Sequence, residues 1–256
     1  MIFRYEEDRW PVAMIVSGVL LSLMAFSDHG FMGWGFGFAG LLLRSLVPIH
    51  QHSHSHLSTF NDESMNALYD LILSIGGGNL TSMWRVHHGM GHHVDYLDQK
   101  NDVEGNLRFG QNIPYRRFVF AVLGSSLSLV DSFKLLKRFP TVVRRKHQFA
   151  IIRQLSLQLA VFLIFMLIDW KVTLVMFLLP NFILKMAVFW FSYGQHDDLP
   201  MTSVYDSSTT KFKFGQLLLN VEHHTAHHER PGLHWSRLAA RTEEILPLID
   251  PRCVRR

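Results

Sequence analysis

Cysteine is almost missing from this chain: Cys253 stands alone, close to the C-terminal end of the 256 residues. A single cysteine excludes an intrachain disulfide and any thiolate cluster of the zinc or iron–sulfur kind. Charge is sparse as well, and only one acid, Asp169, falls within the long apolar runs. That argues against a His-rich metal transporter, whose pathway would place acids inside the membrane. The paired His-Glu helix signature of a zinc hydrolase is absent. So is a basic stripe interleaved with aromatics, and we expect no nucleic-acid partner. The first apolar run is preceded by Glu6, Glu7 and Asp8 and followed by no small-residue cleavage site, so it is expected to stay as an anchor.

Apolar residues and histidine are what the chain has in quantity. Hydrophobic residues make up 48%, with mean hydropathy +0.11, a value between those of soluble domains and of chains lying wholly in membrane. Four stretches approach the roughly 20 residues needed to cross a bilayer: 11–26, 31–49, 149–170 and 172–193. Short connections make them two helical hairpins, with Trp10, Trp34, Trp170 and Trp190 near the ends, where amphipathic rings prefer the interface. Gly33 and Gly37 have the G-x-x-x-G spacing that lets helices approach closely. A fifth run, 118–130, is short and broken by Gly124, Ser125, Ser126 and Ser128, and is expected to be interfacial or re-entrant. A fifth crossing there would also part the last histidine run from the first two.

Of 25 lysines and arginines, 21 lie before the first span, between the second and third, or after the fourth. The positive-inside rule makes that side cytoplasmic. The basic balance, with pI about 9.3, is therefore a matter of topology, with membrane lipid as the partner. The expected architecture is all-α: one multi-pass domain, 1–256, with four transmembrane helices and a cytoplasmic cap of residues 50–148 and 194–256.

Twelve of the 16 histidines fall in three short runs, all on the cytoplasmic side of that topology. The first holds His50, His52, His54 and His56; the second His87, His88, His92 and His93; the third His223, His224, His227 and His228. Residues four apart share a helix face, which pairs His52 with His56, His88 with His92, and His224 with His228. His93 and His227 lie beside those faces and can serve a second ion, and His196 follows the fourth span directly. Imidazole suits iron, zinc, copper and nickel. The set His52, His56, His88, His92, His93, His196, His224, His227 and His228 is too large for one ion, so two metals are expected. His50, His54, His87 and His223 are alternative ligands. His29, His147 and His234 stand apart and read as structural or solvent-exposed. Asp95, Asp197, Asn220 and Glu222 lie beside candidate ligands and could orient them.

The runs and their surroundings resemble the membrane fatty acid desaturase superfamily. His52-x-x-x-His56 is followed by Phe60 and Asn66, Trp84-Arg85 precedes the second box, and Asn220 and Pro231 flank the third. Tyr193-Gly-Gln-His196 is similar to the extra histidine element before that box. The resemblance covers roughly residues 50–93 and 190–238. It implies a non-haem di-iron oxidoreductase that uses O2 to desaturate an acyl chain carried by lipid, coenzyme A or a carrier protein. Two departures stand out. The first box is over-supplied, leaving His50 with His54 as a rival pair. The second, His88-x-x-x-His92-His93, is one residue longer than the common desaturase spacing and similar to the alkane hydroxylase form, which keeps hydroxylase, acetylenase and carotenoid-ketolase chemistry open. No flavin, haem or cysteine cluster motif is present, so an outside donor such as a ferredoxin or a cytochrome b5-like protein with its reductase is expected. The expected location is a membrane, the bacterial inner membrane, with termini and site cytoplasmic.

This topology has a direct test. Reporter fusions after Asp131 should report the cytoplasm, and those after Asp28 and Lys171 the opposite side. An external signal at Asp131 would break the scheme, because the three histidine runs could no longer share one compartment.

Overall fold

The structure is a computed structural model that describes residues 1–110, 113–210 and 212–255. The chain is mostly helical. Helices α1 (Arg9–Leu23), α2 (Phe31–Arg44), α3 (Val47–His56), α4 (Glu63–Gly77) and α5 (Thr81–Trp84) come first. They are followed by α6 (His93–Asp95), α7 (Arg116–Leu135), α8 (Thr141–Thr173), α9 (Leu179–His196), α10 (His224–Glu229) and α11 (Leu238–Ile245). Wider π-helical turns occupy Arg85–His92 and Leu174–Leu178. Two short strands, β1 (Thr209–Thr210) and β2 (Val254–Arg255), pair in parallel with Thr209 opposite Val254.

Among the described residues, three helical runs are long and apolar enough to cross a membrane: Glu6–Phe26, Arg116–Arg138 and Thr141–His196. A fourth arises if Phe31–Arg44 and Val47–His56, bent by 40° at a short break, count as one. The first two expected spans fall on α1 and α2. The third and fourth fall within one 56-residue run, interrupted at Asp169, whose backbone leaves the helix (φ −158°, ψ 106°). Its Oδ1 then accepts from the amides of Lys171 and Val172 at 2.8 and 3.0 Å, capping the helix that follows. The segment expected at the interface differs in extent, because α7 and the turn after it form a 23-residue run that meets the length of a crossing. Its serines do not interrupt it. Ser128 and Ser132 return their hydroxyls to the carbonyls of Ser125 and Ser128 within the helix.

The chain divides into two compact units, Met1–Trp84 with Phe139–Lys185 and Arg85–Arg138 with Met186–Arg256. In the first, α1 and α2 meet through glycine. A Cβ on Gly40 would stand 2.5 Å from the Gly18 carbonyl oxygen, so nothing larger fits without parting the helices. Gly37 packs against Met176 and Ala25, whereas Gly35 faces open space. Phe26, Phe165 and Phe177 pack together, the last two as tilted rings 5.0 Å apart on either side of the Asp169 break. Outward along α8, Leu159, Leu163, Ile164, Leu167 and Ile168 are exposed, an apolar face suited to lipid.

Arg44 lies at the centre of this unit with no exposure at all. Among the described residues no acid pairs with it; dipoles solvate its charge instead. Nε donates to Gly76 O (2.9 Å), Nη1 to Met176 O (2.6 Å) and Ser22 Oγ (3.2 Å), and Nη2 to Asn181 Oδ1 (2.6 Å). The guanidinium also lies 4.7 Å from the centre of the Phe177 ring. One rigid fork thus joins α1, α2, α4, the second π-helical turn and α9.

Replacing Arg44 should therefore cost more than a lost surface cation. Arg44→Ala orphans buried acceptors at roughly 1–3 kcal/mol each, so a loss of about 3 kcal/mol or more is expected, read as a lower melting temperature in lipid or detergent. Arg44→Lys should fall between, because a point charge cannot reach the diverging acceptors. An unchanged Arg44→Ala melting curve would show that the fork does not hold the unit.

Candidate metal centre

The first histidine run occupies α3, and hydrogen bonding separates its members. His50 has Nε2 3.2 Å from Asp8 Oδ1 and Nδ1 2.8 Å from the Tyr69 hydroxyl. His54 has Nδ1 2.8 Å from Thr59 Oγ1 and Nε2 3.1 Å from Asp70 Oδ1. Both nitrogens of each ring are engaged, leaving neither lone pair for an ion. His52 and His56, one turn apart, face each other with ring centres 5.2 Å apart. Phe60 and Asn66 hold the chain beyond them: the Asn66 side chain accepts from Phe60 N and donates to Phe60 O, both at 2.9 Å. Phe60 packs on Tyr69 and Phe3.

The second and third runs and His196 lie within the second unit, where seven imidazoles form two donor groups. In one, His92, His196, His224 and His228 are all buried and present Nε2 to one another. His92 to His196 is 3.1 Å, His196 to His224 is 3.1 Å, and His224 to His228 is 3.0 Å. In the other, His93 Nε2 stands 3.1 Å from that of His88 and 3.0 Å from that of His227. The sequence paired His88 with His92, and these rings stack 5.0 Å apart and share a further donor group with Glu104. The helix is π-helical over Arg85–His92, and the widened turn brings residues five apart onto one face. Through Nε2, His88 meets His93 while His92 meets His196 in the other group.

Local structure explains the placements. Leu219 and Asn220 both adopt left-handed backbone (φ 53°), bending the chain into the third box, and Asn220 Nδ2 donates to Trp235 O at 3.0 Å. Glu229 at the end of α10 pairs twice with Arg241 on α11, at 2.6 and 2.9 Å. Arg255 on β2 donates to the carbonyls of Gly194 and Asp197, each at 2.5 Å, on either side of His196. The other residues singled out in the sequence lie elsewhere. Asp95 pairs with Arg138, Asp197 with Arg116, and Glu222 lies 3.8 Å from His223. Neither His87 nor His223 belongs to a donor group. His29 meets Asp169, and His234 is buried as the cap of the Trp235–Arg237 turn.

Residues that spacing did not reveal are Asp102, Glu104 and Tyr96. Asp102 Oδ2 lies 2.7 Å from Nδ1 of His92. Glu104 Oε1 lies 2.9 Å from Nδ1 of His88 and 3.2 Å from that of His87. Tyr96 packs on His228 with ring centres 4.3 Å apart. Both acids sit in a loop between α6 and α7, and only folding brings them to the rings.

Charge follows burial and these partners. Burial lowers the His228 pKa well below the usual imidazole range, and neighbouring imidazoles lower it further, so its ring stays neutral. Burial also lowers His88, against the pull of Glu104. Burial opposes the charged form of His92 too, but Asp102 and Glu104 outweigh it and push that ring up to about 9. Burial likewise opposes the Glu104 charge, yet His88 and His92 hold it well below the usual carboxylate range.

The donor sets fit metal ions on hydrogen-bond arithmetic. Each Nε2 offers one proton or one lone pair, never both. Three contacts running along four such atoms can include at most two ordinary hydrogen bonds, and two contacts sharing His93 can include one. Lone pairs converging on a cation satisfy every nitrogen at once, and ligand atoms about 2.1 Å from one ion stand roughly 3 Å apart at neighbouring positions.

A proton balance tests this arrangement. At neutral pH the metal-free His92 ring is protonated, because its pKa is raised to about 9. A metal must displace that proton, so uptake should release protons and affinity should climb with pH until about 9, then level off. Titration calorimetry in buffers of different ionisation enthalpy reads this release; proton-silent uptake at pH 7 would contradict it.

Comparison with curated proteins and with solved structures found no match. The sequence model of the fatty acid desaturase family matches residues 29–256, a span that takes in all three histidine runs. The chain belongs to the fatty acid desaturase family, the metal-using, membrane-bound oxidoreductases of the desaturase and hydroxylase type.

Proposed function

We propose that this protein is a membrane-bound non-haem di-iron enzyme that uses O2 and two external electrons to desaturate an acyl chain held on lipid, coenzyme A or a carrier protein. The observation that carries this reading is the pair of imidazole donor groups, four rings and three, with neighbouring Nε2 atoms 3.0–3.1 Å apart. The ligand set comprises His92, His196, His224 and His228 for one iron and His88, His93 and His227 for the other, and the family resemblance adds the first-box pair His52 and His56 to the ligands. Two irons, when bound, supply the redox chemistry by which oxygen attacks an unactivated C–H bond.

The chain's own part is to bind, orient and exclude water. Burial of His92, His196, His224 and His228 keeps solvent from the reacting centre and strengthens every electrostatic interaction there. Asp102, Glu104 and Arg255 keep the rings and their backbone in place. Iron is favoured over zinc because the reaction requires a redox metal. The lack of a redox cofactor motif supports a ferredoxin or a cytochrome b5-like protein as donor. The basic residues of the cap support a cytoplasmic site, with the bacterial inner membrane as the location.

The second-box spacing supports a second reading, hydroxylation by the same site. Substrate placement decides between them, since a second hydrogen abstraction gives the double bond and oxygen transfer gives the alcohol.

Two measurements test the proposal together. Metal analysis of purified protein should find two irons per chain; one zinc would overturn the reading. Mass spectrometry of lipids and acyl carriers should show a product about two mass units lighter with the wild type and none with His224→Ala. A gain of about sixteen would establish hydroxylation.

A further inference from the structure

The loop between α6 and α7 carries two acids whose side chains have no exposure, Asp102 and Glu104. They are tied to each other, because the Glu104 amide donates to Asp102 Oδ1 at 2.9 Å. The loop is fixed at both ends of this pair: Asp102 N donates to Asp98 O (2.9 Å), and Asn106 N donates to Gln99 Oε1 (2.9 Å). Glu104 is further locked by α9, where Ser192 Oγ donates to its Oε2 at 2.9 Å.

An ionised carboxylate only accepts hydrogen bonds, so the imidazole nitrogen facing it must carry the proton. Asp102 therefore fixes His92 with a proton on Nδ1, and Glu104 does the same for His88. In each neutral ring the lone pair is then on Nε2, the atom that faces the donor group. The two rings belong to different groups, so the loop serves one ligand of each. The device is selective: the Nδ1 atoms of His196 and His228 have no hydrogen-bond partner among the described residues.

We propose that Asp102 and Glu104 are positioning residues for the metal pair, each setting the tautomer and orientation of one ligand ring and together supplying negative charge that offsets part of the charge of two buried cations. The inference rests on the di-metal reading above. With imidazole donors alone, both ions would sit in a buried site with little compensation for lost solvation. Two carboxylates one ring away supply that compensation without occupying a coordination position. They also favour the more positive, oxidised state of the ions, so removing either charge raises the potential at which they are reduced.

Asp102→Asn and Glu104→Gln keep the shape and leave an oxygen to accept from Nδ1, removing only the charge. Full-length wild type and both variants, loaded with ferrous iron against a competing chelator, test the inference, with circular dichroism confirming that each is folded. The wild type should hold two irons. Each variant should bind iron about 10–100-fold more weakly and show a higher midpoint potential than the wild type. A merely structural role would leave the potential unmoved. Each acid is tested separately, so a variant that fails to fold leaves the other to decide. Wild-type affinity and potential in a folded variant would overturn the inference. Fewer than two irons in the wild type would instead overturn the reading beneath it.

Discussion

Imidazoles crowded so that their lone pairs meet is the constraint on which the second unit depends. A buried ring nitrogen needs a partner, and a Nε2 atom can satisfy only one neighbour by a hydrogen bond. Seven rings in two groups cannot satisfy one another. The arrangement holds only because strong contacts around it keep the rings there, and because a cation placed among them would turn repulsion between lone pairs into attraction.

Those contacts come from different parts of the sequence and use different chemistry. The π-helical turn at Arg85–His92 sends His88 and His92 to different groups. Consecutive left-handed residues at Leu219 and Asn220 turn the chain into the third box. Arg255 grips the backbone around His196, while Glu229 and Arg241 fix the far end of α10. Glu104 binds two rings of the second run and a serine on α9 with one carboxylate. These supports are all made by the protein itself, so the rings are held in place without an ion.

The first unit meets a related problem with another solution. Arg44 is a charge in an apolar helical unit, and it is solvated by two backbone carbonyls, a serine and an asparagine rather than by an acid. The extra histidines of the first run belong to a similar polar network, in which Asp8, Tyr69, Thr59 and Asp70 use both nitrogens of His50 and of His54. Over-supply in that run is thus divided between anchoring α3 and presenting His52 and His56.

Sequence alone determined the helical class, the apolar runs and the histidines of interest, because hydrophobic run length and four-residue spacing are local properties of one chain segment. It also identified the family, since Phe60, Asn66, Trp84, Asn220 and Pro231 keep fixed offsets from the boxes. The hairpin turn near Asp169 was legible for the same reason. Tertiary structure decided what depends on residues far apart or on departures from the standard helix. A π-helical turn changes which side chains share a face, so counting by four found His88 beside His92 but not the contact of His88 with His93. Asp102 and Glu104 could not be read from spacing, because a loop with no repeat carries them to His92 and His88. The length of α7 lay hidden because serine hydroxyls can be satisfied inside a helix, which only the folded backbone reveals.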